Sequence, residues 1–547
     1  MLEAININIM FKKTFLILFS IFIITSIQSQ VVLQPITSSV YEFLDEMAQM
    51  KYIELNSAVK PYSRMFIAQK LQEIEEHQTS LNNRQQKELA FYFQDFNKEL
   101  KQKGEFKKRK DLFFYKDSLF TFTVNPILGF EYATNKTGSY SHYWNGGEFY
   151  GSVGTHFGFY ASLRDNGVSQ ILSAENHVTP LPGANYKLNQ GQTGGRSDYS
   201  DMLGGVYYSW KWGRLGIVKD NYTWGDNYHG ANIHSNKAPS VGYIDFNISP
   251  VKWLELNYTH SWLVSDVMDS VRIFIISQQK REIFINKNMA ANMVTFKPLK
   301  NLHISLGNSI VYADDGIKPF YLIPFMFYKS VDHTYNSAGS NALGQNTQMF
   351  MNISSRQIKH LHLYTSMYVD EISIGKVMDK DKSSNIFSTK VGFKFNNFPI
   401  RNTYLIAEYT RTNPWTYRHQ IETTTYASNS YNLGNYLGEN SDEIYLEGGI
   451  SLFRGLRASL AYTNARKAPE HVYQVINGEG NVKGLPFMET VAWKNQTIEG
   501  AIRYEIINDG YIFAKITLSD ISGDDYYTPE FYRGKQTTIS GGINFGF

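Results

Sequence analysis

The sequence predicts an all-β membrane protein, an antiparallel outer-membrane β-barrel of about 18 strands with a small N-terminal helical bundle. Three observations carry this prediction. The last strand alternates strictly and ends on an aromatic residue, the first residues spell an export signal, and the middle is a succession of alternating segments joined by turns. At the C-terminus Ile539, Gly541, Ile543, Phe545 and Phe547 share one face, and Ser540, Gly542, Asn544 and Gly546 share the other. A membrane barrel must satisfy every backbone hydrogen bond between strands and leave no edge, which such a terminal strand serves.

At the N-terminus, Lys12 and Lys13 precede an apolar run from Phe15 to Ile24, followed by Ser26, Ser29 and Gln30. A basic flank, an apolar core and small residues near the cut define a secretory signal peptide. Residues 1–29 are assigned to it, with cleavage expected around Ser29–Gln30. The run is too short for a membrane anchor, because a spanning helix needs about 20 apolar residues. The residues before Phe11 do not resemble a signal start, and Met10 is an alternative initiator.

Composition narrows the class further. No later segment is a continuous apolar stretch of spanning length, which excludes a helical membrane protein. Mean hydropathy is −0.34, as expected where lipid-facing and lumen-facing residues alternate. The 38 Tyr, 36 Phe and 8 Trp suit aromatic girdles at two membrane interfaces, and also stacking on sugars. A net charge of +3 is too small to imply a nucleic-acid partner. With no cysteine, thiol catalysis, disulfides and cysteine metal sites are excluded.

Two periodicities divide the chain. Residues 30–110 are predicted as a helical unit and 111–547 as the transmembrane barrel. Ser39 and Glu42 have capping-box spacing, with Val40, Phe43, Leu44 and Met47 on one face. A second helix starts near Ser63 and carries Phe66, Ile67, Leu71 and Ile74; a third runs from about Asn83 with Leu89, Phe93, Phe96 and Leu100. Three short helices cannot bury a full core of their own, so they are expected to lean on the barrel. Lys107 to Lys110 reads as a solvated linker.

From Leu119 the period becomes two. Phe149, Val153, Phe157, Phe159, Ala161 and Leu163 alternate with polar residues, as do Leu446, Ile450 and Leu452, and Ile498, Ile502 and Ile506. Charged residues on the second face, such as Glu447, Glu499 and Arg503, argue for a watery lumen. Short turns are expected near Asp165–Asn166, Lys211–Gly213, Pro250–Val251, Leu299–Asn301, Gln357–Lys359, Asn397–Pro399, Arg454–Gly455 and Asn508–Gly510. Eight such turns with both termini in the periplasm give nine hairpins.

Three blocks bring a family into view. Tyr41–Leu44 is followed by Lys60–Pro61–Tyr62–Ser63–Arg64 and Ile67–Ala68. Trp224–Gly225 is followed by His234–Ser235–Asn236–Lys237–Ala238–Pro239. Glu408–Tyr409–Thr410–Arg411–Thr412–Asn413–Pro414 precedes Leu433–Gly434 and Leu437–Gly438–Glu439–Asn440–Ser441–Asp442. From about Val40 onward the chain resembles the Wzi-type capsule assembly proteins of Gram-negative outer membranes. In the second block Lys237 stands where the family pattern has Asn. The resemblance implies an 18-stranded barrel in the cell outer membrane, plugged on the periplasmic side by the helical bundle. It implies a lectin-like role, binding capsular or other surface polysaccharide and organising its attachment, without catalysis. Expected partners are that polysaccharide, outer-membrane lipid and the barrel assembly machinery. The chain is expected to be a monomer with no cofactor and no nucleic acid.

Two loops carry the candidate binding residues. The first, Asn221 to Asn236, holds Trp224, Asp226, Asn227 and His229; the second, Arg411 to His419, holds Arg411, Asn413, Trp415 and Tyr417. Sugars need flat apolar faces for their C–H surfaces, which Trp224 and Trp415 offer. They need planar amides, carboxylates or guanidinium groups for hydroxyls and acidic groups, which Asp226, Asn227 and Arg411 offer. The other reading of these side chains is loop packing and an aromatic girdle. His229 and His234 lack a recognised metal-ligand spacing, so no metal is assigned. Gly-x-Ser-x-Gly is absent, and Glu255, Glu447 and Glu499 read as lumen-wall residues rather than an acid–base pair. The alternative function is a porin-like channel for sugars or small solutes.

Overall fold

The computed structural model describes residues 31–100, 111–186, 195–272, 274–276, 279–313, 316–336, 344–372, 385–472, 475–476, 479–480 and 484–546. The expected signal peptide at residues 1–29, the stretch Lys107 to Lys110 and the terminal Phe547 lie outside them. Eighteen antiparallel strands close into a barrel. In chain order they are β1 (Phe120–Asn135), β2 (Gly138–Val153), β3 (Phe157–Val168), β4 (Ser197–Trp210), β5 (Gly213–Asp220) and β6 (Val241–Val251). Then come β7 (Leu254–Leu263), β8 (Lys287–Leu299), β9 (Leu302–Tyr312), β10 (Asn346–Ser355), β11 (Leu361–Glu371) and β12 (Ile386–Asn396). The last six are β13 (Thr403–Thr412), β14 (Ser441–Phe453), β15 (Leu456–Lys467), β16 (Trp493–Ile507), β17 (Gly510–Gly523) and β18 (Gly534–Phe545).

The seam runs between β18 and β1, from Ile539 opposite Thr134 to Phe545 opposite Leu128. Below it, the edge of β1 that β18 does not reach is paired by a short strand, Phe113–Lys116, from Phe113 opposite Val124 to Lys116 opposite Thr121. Alternation sorts the two faces. Ile498, Ile502 and Ile506 on β16 and Ile512, Ile516 and Leu518 on β17 are exposed outward, while Arg503, Glu499 and Lys515 face the lumen. An apolar outer wall around a polar interior is what a lipid-embedded barrel requires.

At one end the strands are joined by short turns: 154–156, 211–212, 252–253, 300–301, 356–360, 397–402, 454–455 and 508–509. The turn at Arg454–Gly455 shows why glycine sits there. Gly455 has φ of +80°, and a Cβ would lie 2.3 Å from the carbonyl oxygen of Glu505. Most connections at the other end are long. In outer-membrane barrels the short turns are periplasmic and the long loops extracellular.

One expected turn is corrected. Asp165 and Asn166 lie inside β3, and the turn falls at 154–156. Val153 and Phe157 are cross-strand partners on one face, so the alternation runs through the turn without a change of phase. The turn expected at Pro250–Val251 lies just beyond, at Lys252 and Trp253, because β6 extends through Val251.

The N-terminal unit contains α1 (Val40–Gln49), α2 (Arg64–Glu75) and α3 (Asn83–Phe96). Phe43, Leu44, Ile67, Leu71, Ile74, Leu89, Tyr92 and Phe96 form its core. Ser63 caps α2 by accepting from the Phe66 amide at 3.1 Å. The capping box expected at Ser39 and Glu42 does not form: the Ser39 hydroxyl donates to Glu505 at 2.6 Å, and Glu42 pairs with Arg457. A capping box occurs instead at Asn82 and Gln85. The unit meets the short-turn end of the barrel. The His360 amide donates to the Gln49 carbonyl at 2.9 Å, Asn397 to Glu46 at 2.7 Å, Arg84 to Asn402 at 2.9 Å and Asn508 to Asp95 at 2.6 Å. Arg64, paired with Asp95 and Glu99, lies 4.5 Å from both the Phe96 ring and the Tyr150 ring of the β2 wall.

Candidate functional site

Loop 221–240 turns inward and fills the lumen above the helices. Thr223 and Trp224 pair with Lys60 and Val59, and the Gly225 amide donates to the Ala58 carbonyl at 2.8 Å. Gly225 has φ of +95°, which lets the chain reverse there. Trp224 is 2% exposed, in a core with Val31, Leu33, Ile233 and Phe350. Asp226 accepts from Ser57 and from Asn352 Nδ2 at 2.8 Å. Burial pushes its carboxyl up, but the charges of His362 and Arg356 and the two hydrogen bonds outweigh burial and hold it below the usual range. Asn227 donates to the Gly225 carbonyl at 2.9 Å.

The next anchor is Glu408 of β13. It accepts from the Tyr228 amide at 2.7 Å, the His229 amide at 2.9 Å, Lys390 at 3.1 Å and the Tyr364 hydroxyl. The His229 ring stacks on Tyr445 at 4.0 Å and faces Glu443 at 3.4 Å. Burial lowers its basicity, yet the charge and hydrogen bond of Glu443 prevail and raise it. The Tyr228 hydroxyl donates to Asp45 at 2.8 Å, and Asp45 also takes Arg356 and Lys394, each at 2.9 Å. Helix α1, the inward loop and the wall thus share one buried ionic network.

Loop 413–440 closes over this from the extracellular side. Tyr417 donates its hydroxyl to the Asn232 carbonyl at 2.6 Å, and its amide donates to Asp370 at 2.7 Å. The Trp415 amide donates to Glu439 at 2.6 Å, and Asn413 Nδ2 to the Asn385 carbonyl at 2.8 Å. Ser235 donates its amide to the Leu433 carbonyl at 2.7 Å. Lys237 is buried and donates to Ser173 at 3.1 Å and to the Leu181 carbonyl at 3.0 Å, so this side chain has a hydrogen-bonding role.

Burial brings the Lys237 ammonium down to about 7. The unfolded value is about 10.4. Between these values the unfolded chain binds more protons than the folded one, so stability rises with pH across that window. Going from about pH 6.5 to 9.5 should therefore raise the unfolding midpoint of the wild type relative to Lys237→Met, which lacks the titration. Equal pH slopes for the two proteins would contradict this.

The expected binding residues are thus placed as follows. Trp224, Asp226, His229, Asn413, Trp415 and Tyr417 point into the interior, where the first three lock the inward loop, Tyr417 ties loop 413–440 to it, Trp415 bonds within its own loop and Asn413 bonds the Asn385 carbonyl. This corrects the expectation that Trp224 offers a stacking face: Val59 and the loop itself cover it. Asn227 is half-buried beside a lumen cavity of about 390 Å³. Arg411 is exposed, but on the outer face of β13 in line with Tyr409 and Leu405, where its guanidinium lies 3.8 Å from the Phe487 ring centroid.

Among the described residues, one solvent-exposed patch is announced by no local motif. Arg418, 38% exposed, lies 5.8 Å from the Trp415 ring and bonds Glu470 at 2.7 Å. Tyr526, 59% exposed, extends beside it from loop 524–533. Asn176 donates to the Tyr526 carbonyl, and the Val178 amide to the Tyr527 carbonyl at 2.9 Å. Four loops meet here, so sequence spacing carries no trace of it. Among the described residues no group of three or more His, Asp or Glu is placed to hold a metal.

A closed barrel with an apolar outer wall, a polar lumen and short turns at one end is an outer-membrane β-barrel. No protein-family model and no curated protein matches the chain. Among solved structures it is similar to Wzi of Escherichia coli, described as an outer-membrane protein involved in group 1 capsule assembly and a carbohydrate-binding β-barrel. That match has a TM-score of 0.58 and 12% identity, and covers 95% of this chain and 100% of the other, a likeness of fold. OccAB2 of Acinetobacter baumannii matches with a TM-score of 0.43 and 10% identity over 78% of this chain and 98% of that one. OpdQ of Pseudomonas aeruginosa matches with a TM-score of 0.39 and 10% identity over 79% and 99%.

Proposed function

We propose that this barrel holds surface polysaccharide at its extracellular face, organises capsule or exopolysaccharide attachment and performs no catalysis. One observation carries the reading: the lumen is occupied by the helical unit and loop 221–240, while four extracellular loops converge on an exposed patch of arginine, carboxylate and tyrosine. A barrel built this way offers a surface before it offers a passage. The three sequence blocks and the fold likeness to a carbohydrate-binding barrel support it. In this proposal Tyr526 stacks on a sugar face, Arg418 pairs with hydroxyls or acidic groups, and Trp415 props Arg418 from beneath. Trp224, Asp226, Asn227, His229, Asn413 and Tyr417 act through the shape of the loops, and Arg411 at the rim.

Stacking of this kind is worth about 0.5–1.5 kcal/mol beyond area burial. Tyr526→Ala should then weaken glycan binding roughly 2- to 13-fold, since about 1.4 kcal/mol is tenfold. Cells carrying Arg418→Ala with Tyr526→Ala should assemble the barrel yet shed polysaccharide into the medium. Intact retention at matched folded-barrel levels would remove the patch from the proposal. Intact retention in the absence of the whole protein would remove the function.

A second reading, a channel for sugars, draws on one feature. The cavity of about 390 Å³ and a neighbour of about 440 Å³ share Glu42, Tyr404, Glu447 and Arg457 in their linings, beside the helical unit. Steady conductance of the full-length protein in planar bilayers would favour that reading.

A further inference from the structure

The segment that follows β9 leaves the extracellular end and folds down the outside of the barrel. The register fixes which face it covers. On β7, Thr259 and Ser261 meet Tyr222 of the inward loop, so Tyr258 and His260 point outward. On β8, Met289, Ala291 and Met293 belong to the inner core, so Ala290 and Asn292 point outward. Their cross-strand partners on β9 are Ile310 and Asn308. Tyr258, Ala290, Ile310 and Tyr312 are nonetheless buried, in one cluster with Tyr321 and Tyr328 of the segment.

Polar side chains on this outer wall anchor it. Asn292 donates to the Met326 carbonyl at 2.8 Å, and Asn308 donates to Asn292 at 2.8 Å. Asn308 accepts from the Tyr328 amide at 2.9 Å, and the Tyr258 hydroxyl donates to the Tyr321 carbonyl at 2.8 Å. Bare to lipid, such amides would lack the hydrogen-bond partners that hydrocarbon cannot supply.

The height of the segment is set by the strands. Met202 on β4 and Leu518 on β17, nine residues from their periplasmic turns, are 58% and 48% exposed on the lipid-facing wall. Asn292 is eight residues from the turn at 300–301, at the same level. A transmembrane strand spans the bilayer with about 9–11 residues, so this level is the outer leaflet. There β7, β8 and β9 carry Tyr258, Asn292 and Asn308 where other strands carry aliphatic residues, and the segment covers them. Its own outer side shows Phe325, 76% exposed, with Phe327, Leu322 and Ile317. The run Pro319 to Tyr328 has no charge and is flanked by Lys329 and by Lys318, whose Nζ lies 5.9 Å from the ring centroids of Tyr312 and Tyr321.

We infer that the segment from Ile317 to Lys329 is a membrane-embedded surface that binds the acyl chains of outer-leaflet lipid through Phe325, Phe327 and Leu322. It restores the apolar belt where the barrel wall itself is polar. The occupant is lipid rather than a second copy because the patch is continuous in level and chemistry with the lipid-facing wall on either side.

The cysteine-free chain permits a direct test. Phe325→Cys and Phe327→Cys, each in the full-length protein, are labelled with nitrobenzoxadiazole and reconstituted in phosphatidylcholine–phosphatidylglycerol vesicles. Leu518→Cys reports the lipid-facing wall and Tyr526→Cys the aqueous surface. The loop labels should lose emission to phosphatidylcholine spin-labelled high on the acyl chain as fully as Leu518→Cys does, and should resist iodide. Iodide quenching like that of Tyr526→Cys, with no loss to spin-labelled lipid, would overturn the inference. So would disulfide-linked dimers through Phe325→Cys accompanied by loss of lipid quenching, because a second copy would then cover the patch. Asn292→Ala with Asn308→Ala should raise iodide access at Phe325→Cys, and unchanged access would remove the anchoring argument.

Discussion

Removing Ser38 to Leu100 should convert a barrel of low conductance into an open pore. The helical unit is held at the short-turn end of the barrel by hydrogen bonds to the turns at 356–360, 397–402 and 508–509. Closed barrels of 16–18 strands leave an aqueous channel when their interior is not filled. The deletion also takes away Val59, against which Trp224 pairs, and Ala58, which receives the Gly225 amide. Loop 221–240 then loses its floor and should become mobile, so conductance should rise in flickering steps before reaching a porin-like level. The charges uncovered, Arg356 and Lys394 among them, become solvated by the water that enters and should not prevent the barrel from folding. Planar-bilayer recording of wild type beside the deletion tests this. Equal conductance, whether both are silent or both are open, would show that the helices do not close the lumen.

The second large effect is expected at Asp45. This carboxylate of α1 receives Arg356 from the turn at 356–360, Lys394 from the wall and the Tyr228 hydroxyl from the inward loop. Removing one member of a buried ionic cluster leaves the others charged and unpaired, which typically costs about 3–5 kcal/mol. Asp45→Ala should therefore weaken docking of the helical unit by that amount, while Asp45→Asn, which keeps the volume, should fall between. Hydrogen exchange of the α1 amides measures it, and protection equal to wild type would refute it. The same site has an acid limit. Burial pushes its carboxyl up, but Lys394, Arg356 and His362 hold it well below the usual range. Its contribution is complete above the unfolded value of about 3.9 and is lost as pH falls through the lower folded value. Docking should thus hold at pH 5 and weaken progressively as the pH falls below about 4.

Much of the barrel was legible because its signals are local. Leu446 and Glu447, or Ile498 and Glu499, declare their faces by alternation alone. The turns at Lys211, Asn301 and Gly455 interrupt that alternation where they occur. The turn between β2 and β3 escaped because Val153 and Phe157 keep the same phase across it. Ser39 and Glu42 have the spacing of a capping box, yet a carboxylate from Glu505, far along the chain, takes the hydroxyl. The candidate site was less legible. Trp224 and Tyr417 were recognisable as unusual, but whether an aromatic in a loop faces solvent depends on what is laid over it. For Trp224 that is Val59, and for Tyr417 the backbone of Asn232; neither is adjacent in sequence. Tyr526 and Arg418 meet only because distant loops converge.

The seam between β1 and β18 bears on how the barrel can be filled. The two strands that meet there lie at opposite ends of the barrel's sequence, so their pairing closes the cylinder around whatever it already contains. Because the inward loop grips Val59 from within, a cylinder sealed first would have to admit its contents through its own mouth. Sealing around contents already seated avoids that detour, and it makes the zipper of β18 against β1 the step that commits the protein to its finished form.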